Sequence, residues 1–222
     1  MKVICFDLDD TLYKEIDFLT SAFDEIVEYS LALLHSSYLN HSELLLGMLD
    51  AYYSKNDAFD YLINATKVNL DKDTLLSIYR NHIPKIHLLP GASELLNEIK
   101  YRKFEIGIIT DGRSIQQRNK LDSLDLDTLV KDKNIIISEE FGLEKPSRAN
   151  YEYFVGLYPD SNEFCYIADN TQKDFLSPNA LGWKTICLQD DGRNIHYQRF
   201  DLPKEYLPQY VVKSLEEVID LL

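Results

Sequence analysis

Short runs of β-branched and aromatic residues alternate with helix-length segments along most of this chain, and this alternation limits the possible folds more than any other feature. The runs cover residues 3–6, 104–109, 134–137, 164–168 and 185–188. The helix-like segments cover residues 92–101, 114–124, 147–157 and 173–181. Because these strands are too apolar to face water, the alternation predicts a parallel sheet with helices on both faces. The expected fold class is therefore α/β, with a Rossmann-like sheet.

The interval from Glu15 to Lys85 breaks this alternation, because about 70 residues separate the first strand from the next helix. A structureless loop of that length is implausible inside a compact domain. Apolar residues recur there at helical spacing, at Phe18, Ala22, Ile26, Tyr29 and Leu33, and further helical patterns cover residues 44–53, 58–65 and 74–79. We predict that residues 15–85 form a small helical domain inserted into an α/β core of residues 1–14 and 86–222.

The end of the chain shows a weaker pattern. Residues 190–210 contain two prolines and no clear periodicity, which predicts a polar loop. A final helix over residues 215–222 is expected to begin after Ser214, whose hydroxyl is a common N-cap.

The net charge argues against two classes of partner. The chain carries 23 basic and 37 acidic residues, a formal charge of −14. Nucleic acids and anionic membranes both attract positive protein surfaces, so neither is an expected partner. The three cysteines lie in apolar runs, as buried thiols of a reducing compartment do, and no apolar segment is long enough for a signal peptide or a membrane span. We therefore expect a cytoplasmic location, whereas the oligomeric state does not follow from these features.

Two acidic residues, Asp7 and Asp9, follow the first strand directly. Side chains two residues apart on a strand point toward the same side. Because open α/β sheets bind ligands at the carboxyl ends of their strands, these carboxylates are candidate site residues. The alternative is that they only cap a turn or the next helix.

The second strand ends in Thr110-Asp111-Gly112. The threonine hydroxyl and the free N–H groups of a strand-to-helix turn can hold the oxygens of a phosphate, and the glycine permits a close approach. The same tripeptide is also common in an ordinary turn or helix start.

A lysine, Lys145, precedes a helix whose first turn is expected to contain Pro146 or Ser147. Its ammonium group could neutralise a phosphoryl group and a nearby carboxylate. On its own, a lysine in a loop is more often a solvated charge.

A further acidic group, Asp169, follows the fourth apolar strand and is a candidate metal ligand, with Asn170 beside it. Asp174 either supports that site from behind or caps the next helix. Taken alone, Asp169 is a turn residue about as often as a ligand. The combination of all four segments is more specific, because it would place acids, a hydroxyl and a lysine around one crevice.

The order of these segments resembles the haloacid dehalogenase superfamily of phosphohydrolases. The matching motifs are Asp7-x-Asp9-x-Thr11, Thr110, Lys145, and Asp169 with Asp174. The match covers essentially the whole chain, and the helical insertion is similar to the cap domain of that superfamily. Members that cleave carbon–halogen bonds generally lack the second aspartate of the first motif, so the presence of Asp9 resembles the phosphatases. Asp10 stands where many members have glycine, and Ala168 replaces a common glycine before the metal-binding acid.

The resemblance implies a magnesium-dependent phosphatase that forms an aspartyl-phosphate. Mg²⁺ would be held by Asp7, Asp169 and the backbone carbonyl of Asp9. Asp7 would attack the phosphorus atom, and Asp9 would first protonate the leaving group and then deprotonate the attacking water.

The resemblance also assigns the remaining site residues and the partner. The phosphoryl group would be bound by Thr11, Thr110, Asp111, Gly112 and Lys145. Asp174 and Asn170 would support the site from behind the metal ligands, and the helical insertion would close over the crevice and exclude water. The expected partner is a small phosphorylated metabolite, such as a sugar phosphate, a nucleotide or a related cofactor.

Two alternative functions use similar residues. A phosphomutase of the same superfamily would share the residues around the phosphoryl group, and only isomerisation of a sugar phosphate would separate it from a phosphatase. A signalling receiver domain also gathers aspartates, a threonine, a lysine and magnesium. In a receiver, however, the acceptor aspartate lies on an interior strand of a much shorter chain.

Overall fold

Six parallel strands form a sheet in this computed structural model, which describes residues 1–34, 39–67 and 70–222. The strands are β1 (Lys2–Phe6), β2 (Glu105–Thr110), β3 (Ile135–Ile137), β4 (Glu163–Ala168), β5 (Lys184–Leu188) and β6 (Tyr210–Val212). Their order across the sheet is β3-β2-β1-β4-β5-β6, and all neighbouring strands run parallel. The predicted α/β class with a parallel sheet is confirmed.

The central strand β1 shows why the strands are apolar along their whole length, instead of alternating between polar and apolar residues. It pairs with β2 on one side and β4 on the other, and its residues from Val3 to Phe6 are fully buried. A strand that is covered on both faces cannot place polar side chains on either of them. Large aromatic side chains such as Tyr151, Phe154 and Trp183 complete the core beside the sheet.

Helices account for about half of the described residues outside the strands. They are α1 (Glu15–Ala32), α2 (His41–Tyr53), α3 (Ala58–Thr66), α4 (Lys72–Asn81), α5 (Ala92–Tyr101), α6 (Ser114–Ser123), α7 (Leu126–Leu129), α8 (Ser138–Phe141), α9 (Ala149–Leu157), α10 (Leu176–Ala180) and α11 (Glu216–Ile219). The short helices α7 and α8 and the strand β6 were not predicted, because elements of three or four residues are too short to show a period; β3 is equally short but was predicted from its run of isoleucines.

Three predicted helices are shorter than their patterns suggested. The helix predicted over residues 173–181 is limited to α10, because Pro178 has no N–H to donate to residue 174. Residues 170–174 form a turn instead, in which the carbonyl of Asn170 accepts the N–H of Asp174 at 3.0 Å. The helix after Lys145 begins at Ala149 rather than at Pro146 or Ser147, and the final helix covers only Glu216–Ile219.

The chain divides into two compact units, one of residues 1–16 and 86–222 and the other of residues 17–85. The second unit is built from α2, α3, α4 and most of α1, and its core contains Phe18, Phe23, Ile26, Met48 and Leu62. In the part of the chain that the structure describes, none of the helices combines the length and the hydropathy needed to cross a lipid bilayer. The role of the insertion as a cap stays a prediction.

The order of the strands indicates where a ligand would bind in the α/β unit. The chain moves from β1 through β2 to β3 in one direction, and from β4 through β5 to β6 in the other. Ligands of such sheets bind outside the carboxyl ends of the strands, at the point where the direction reverses. Here that point lies between β1 and β4.

Candidate active site

A small polar cavity lies at the carboxyl ends of the central strands. The N–H of Asp7 donates to the carbonyl of Ile167 at 2.9 Å, so the pairing of β1 with β4 continues into the site. The cavity has a volume of about 80 Å³ and is lined by Asp7, Asp9, Asp10, Glu15, Asp111, Asp169, Asn170, Lys173 and His196. Pockets that enclose a whole small ligand usually have volumes of roughly 300–1,000 Å³. This cavity is therefore suited to a phosphoryl group and an ion rather than to an entire substrate.

Three buried carboxylates form the most acidic part of the site. One oxygen atom from each of Asp7, Asp169 and Asp174 lies within 4.8 Å of the others. Asp7 follows β1 and Asp169 follows β4, whereas Asp174 lies in the turn before α10. The pairing of β1 with β4 thus brings together acids that are far apart in the sequence.

The side chain of Lys145 is the positive charge at the centre of this cluster. Its Nζ atom lies 2.8 Å from an oxygen of Asp7 and 2.8 Å from an oxygen of Asp174, and it donates a hydrogen bond to the Tyr166 hydroxyl at 3.2 Å. Burial by itself would lower the pKa of Lys145, but the carboxylates of Asp174 and Asp7 raise it well above its usual value. The lysine is therefore held as a cation.

One lysine does not neutralise three carboxylates. Burial raises the pKa of Asp7 to about 7, although Lys145 opposes the shift. Burial and the nearby charges of Asp174 and Asp7 also raise the pKa of Asp169. The single charge of Lys145 is thus too little to stabilise the ionised forms of all three acids, and their oxygen atoms are the donors that a hard divalent cation prefers.

The two oxygens of Asp174 already have partners. One lies beside Lys145, and the other accepts the backbone N–H of Asn170 at 3.0 Å. Asn170 lines the cavity, and the oxygen of its side chain accepts the N–H of Gln172 at 3.0 Å. This arrangement favours a supporting role for Asp174 over the capping of the next helix.

The carboxylate of Asp9 is turned toward a different set of partners. Its Oδ1 atom accepts hydrogen bonds from the Lys120 ammonium group at 2.6 Å and from the Tyr13 hydroxyl, and its Oδ2 atom accepts one from Gln117 at 2.8 Å. Burial alone would raise the pKa of Asp9, but the charge of Lys120 and these hydrogen bonds lower it. The side chain of Asp9 is therefore not part of the cluster formed by Asp7, Asp169 and Asp174.

The three predicted site residues at the end of β2, Thr110, Asp111 and Gly112, lie in different environments. Asp111 lines the cavity and accepts the N–H of Lys145 at 3.0 Å and a hydrogen bond from Lys173 at 2.8 Å. The hydroxyl of Thr110 is buried and accepts a hydrogen bond from Gln117 at 2.6 Å. The N–H of Gly112 donates to the Ser138 hydroxyl at 3.0 Å, so it is already engaged within the protein.

Thr11 is fully buried, and its side chain is not part of the cavity lining. Among the described residues, its hydroxyl has no hydrogen-bond partner. Binding of the phosphoryl group by Thr11 stays a prediction that its position does not support.

Several residues that line the cavity were not predicted as site residues from the sequence. Lys173 and His196 line the cavity, and so does Glu15 at the start of α1. Burial, followed by the charge of Asp9, raises the pKa of Glu15 to about 8. These residues lie outside the strand ends, so no pattern in the sequence marked them, although Glu15 lies close to the first motif.

A second missed feature is the segment of residues 190–198, which was predicted only as a polar loop. The Asn194 side chain donates to Asp169 at 2.9 Å and accepts a hydrogen bond from Lys14 at 2.6 Å. Gln198 donates to the backbone carbonyl of Asp169 at 2.9 Å. This segment therefore orients the acid that follows β4.

The chain is similar to known proteins over nearly its whole length. A family model described as "Haloacid dehalogenase-like hydrolase" matches residues 4–188. The glyceraldehyde 3-phosphate phosphatase of Methanocaldococcus jannaschii is 30% identical over 100% of this chain and 96% of its own length. The protein of the same name from Pyrococcus furiosus is 26% identical over 100% of this chain and 93% of its own length. Among solved structures, the magnesium-bound HAD-hydrolase YfnB of Bacillus subtilis has a TM-score of 0.68 at 21% identity, covering 99% of this chain and 97% of that one.

Proposed function

Because this chain belongs to the haloacid dehalogenase-like hydrolases, we propose that it is a magnesium-dependent phosphatase that hydrolyses small sugar phosphates through an aspartyl-phosphate on Asp7. The resemblance drawn from the four motifs is confirmed, and so is the prediction of an enzyme of the phosphatase class. The substrate, the metal and the roles of single residues belong to the proposal.

One observation carries the proposal. The ammonium group of Lys145 lies 2.8 Å from both Asp7 and Asp174, at a cavity where the oxygens of Asp7, Asp169 and Asp174 converge. A phosphate monoester dianion repels a carboxylate nucleophile unless positive charge is placed beside both of them. This arrangement supplies one such charge and the ligands for another.

The donor set fits magnesium, whose ligands in proteins are hard oxygen atoms. Asp7, Asp169 and the backbone carbonyl of Asp9 would hold the ion, with Asp174 and Asn170 supporting them. When bound, the ion would offset the negative charge of the phosphoryl oxygens and of the surrounding carboxylates.

The residues of this chain then account for each proton and each bond. A carboxylate oxygen of Asp7 attacks phosphorus in line, and the bond from phosphorus to the leaving oxygen breaks. Asp9, which must carry a proton when the substrate is bound despite its lowered pKa, gives that proton to the leaving oxygen. In the second half, Asp9 takes a proton from water, the water oxygen attacks phosphorus, and the Asp7 carboxylate is released. Lys145 stays charged throughout and positions the phosphoryl group together with the hydroxyl of Thr110 and the backbone N–H of Asp111.

The relatives support the substrate class. The two archaeal relatives described above are named as phosphatases of glyceraldehyde 3-phosphate, a three-carbon sugar phosphate. The cavity holds little beyond the phosphoryl group, so the sugar would lie outside it. We propose a short sugar phosphate, and neither nucleic acid nor membrane lipid, as the partner.

Phosphate release from a panel of phosphomonoesters tests this function, measured with magnesium and with a chelator. Glyceraldehyde 3-phosphate, longer sugar phosphates and nucleoside monophosphates form the panel. We expect magnesium-dependent release that is fastest with the short sugar phosphates and almost absent in Asp7→Asn. Equal release by Asp7→Asn, or release unaffected by the chelator, would contradict the proposal.

The two alternative functions receive less support. Receiver domains have the strand order 2-1-3-4-5, with the first strand next to the third, whereas β1 here lies between β2 and β4. The receiver alternative is therefore wrong. A phosphomutase has the same fold, and no observation favours it, so isomerisation of a sugar phosphate in the same assay would be the only sign of it.

A further inference from the structure

A buried lysine on α6, Lys120, has no place in the reaction described above. The residue is 4% exposed, and its Nζ atom lies 2.6 Å from an oxygen of Asp9. It also lies over the ring of Tyr13, with 5.8 Å between Nζ and the ring centroid. Lysine is almost never fully buried unless it is paired, because the ammonium group loses its hydration.

Gln117 lies one helical turn before Lys120 and faces the same acid. It is 1% exposed, and the two hydrogens of its side-chain amide are used on Asp9 and on the hydroxyl of Thr110, at 2.8 and 2.6 Å. Residues three apart on a helix lie on the same face, so α6 presents both donors together. The helix thus connects the acid after β1 with the hydroxyl that ends β2.

The carboxylate of Asp9 is consequently fixed in orientation but is not saturated. A carboxylate has about four lone-pair positions. Three donors, Lys120, Tyr13 and Gln117, occupy three of them. Asp9 nevertheless lines the cavity, so one position is left for the proton that it would exchange with the substrate.

Stability alone does not explain this arrangement. Replacement of a buried ion pair by apolar residues of similar volume is often neutral or stabilising, so such a pair is weak evidence of a stabilising role. A carboxylate that must meet the leaving oxygen of a substrate benefits from a fixed position, because a misplacement of about 1 Å can cost roughly a hundredfold in rate.

We propose that Lys120 and Gln117 are positioning residues that hold the carboxyl group of Asp9 where it meets the leaving oxygen of the substrate. This inference rests on the proposed function, in which Asp9 donates the proton to that oxygen. It assigns a role to two residues of α6 that have none in that proposal, and both contact the side chain of Asp9, whereas the proposed metal ligand is its backbone carbonyl.

The test compares substrates that differ in their need for a proton donor. A sugar phosphate has a strongly basic leaving oxygen, whereas the nitrophenolate of p-nitrophenyl phosphate leaves without protonation. Asp9→Asn establishes the pattern and should lose about a hundredfold in kcat on the sugar phosphate but far less on the aryl phosphate. Lys120→Met should show the same selectivity, with a loss of about tenfold on the sugar phosphate, little loss on the aryl phosphate and an unchanged KM.

A double variant separates positioning from a general structural role. Residues that act as a unit are strongly non-additive, so Lys120→Met should cause almost no further loss when Asp9 is already replaced by asparagine. Gln117→Leu provides a second variant in case Lys120→Met folds poorly, and it should show the same selectivity. Lys131→Met, at a lysine with an exposed side chain, is the matched control and should behave as the wild type on both substrates.

The outcomes separate the two proposals. Equal losses on both substrates in Lys120→Met and Gln117→Leu, or additive losses in the double variant, would overturn the positioning role while leaving Asp9 as the proton donor. A lack of substrate selectivity in Asp9→Asn, or a wild type that releases no phosphate from either ester, would instead overturn the proposed function and this inference with it.

Discussion

At the scale of single residues, Asp10 shows why this position accepts an acid where glycine is common in the superfamily. Its φ angle is +54°, a left-handed conformation that glycine adopts without strain and that aspartate tolerates better than most residues. Its carboxylate accepts the N–H of Glu15 at 2.9 Å and the N–H of Ile195 at 2.9 Å. The aspartate therefore links the turn after β1 to the segment that follows β5.

The buried cation of the site should matter to stability as well as to catalysis. Lys145→Met would leave buried carboxylates without their partner, which typically costs about 3 kcal/mol or more of unfolding free energy. Lys131→Met is the matched control, because that side chain is 58% exposed and its pair with Glu105 should contribute less than about 1 kcal/mol. Urea denaturation with a chelator present measures both. Similar losses in the two variants would contradict the central position of Lys145.

Glu15 should make the stability of the metal-free protein depend on pH. Its pKa rises from 4.5 in the unfolded chain to about 8 in the folded protein, so between these values the folded protein binds one proton more. The stability associated with this residue is fully present below the lower value and is lost as the pH rises toward the higher one. The melting temperature of Glu15→Gln should therefore exceed that of the wild type by an amount that grows between about pH 5 and pH 8 and then levels off.

Thermal melts in a chelating buffer at several pH values check this expectation. Glu43→Gln makes the same chemical change at an exposed position of α2, and its melting temperature should follow that of the wild type. A difference between Glu15→Gln and the wild type that does not vary with pH would contradict the raised pKa.

At the scale of elements, the segment of residues 190–198 builds part of the site without being a helix or a strand. Asp190 accepts the N–H groups of Gly192, Arg193 and Asn194, at 2.8, 3.1 and 3.0 Å, which fixes the turn. Asn194 can then reach Asp169. The order of this segment comes from polar side chains that satisfy backbone N–H groups, rather than from an apolar face.

Asn194→Ala should weaken the binding of magnesium. Its side chain donates to an oxygen of Asp169, and loss of a group that supports a metal ligand typically costs about 10- to 100-fold in metal affinity or activity. Arg193→Ala is the control, because the Arg193 side chain is 53% exposed and pairs with Asp191. The magnesium concentration that gives half-maximal thermal stabilisation should rise in Asn194→Ala only. An equal rise in both variants would argue against orientation of Asp169 by Asn194.

At the scale of the whole molecule, the charge of −14 is partly concentrated at the site, where Asp7, Asp169 and Asp174 converge. A divalent cation that binds there stabilises the folded state, because the unfolded chain cannot assemble the same ligands. A ligand present at a hundred times its dissociation constant stabilises by about 2.7 kcal/mol. Magnesium should therefore increase the stability of the folded protein as well as support the reaction.

Magnesium should accordingly raise the melting temperature of the wild type, and a chelator should reverse the change. Asp169→Asn should lose most of this response, because it removes one charged ligand of the proposed site. Differential scanning calorimetry over a magnesium titration measures the effect. A response of the same size in Asp169→Asn would show that magnesium acts elsewhere on this acidic protein.

The α/β class and the candidate acids were predictable because they depend on local patterns. Buried parallel strands must be apolar throughout, and an acid that directly follows such a strand lies at the ligand-binding edge of the sheet. Asp7 and Asp169 satisfied both conditions. The lengths of the later helices were less predictable. The start of α10 depends on Pro178 and on the hydrogen bonds of the turn before it, and the sequence does not show those hydrogen bonds.

The sequence by itself determined the fold class and the chemical groups at the ends of the strands. Both depend on the spacing of apolar residues and on residue type, which are properties of short segments. Only the tertiary structure decided the environment of each group. Lys145 is buried between two acids, and Asp9 meets Lys120, which lies 111 residues away in the chain. Such partners are set by the packing of elements that are distant in sequence, and no local pattern encodes a distance between them.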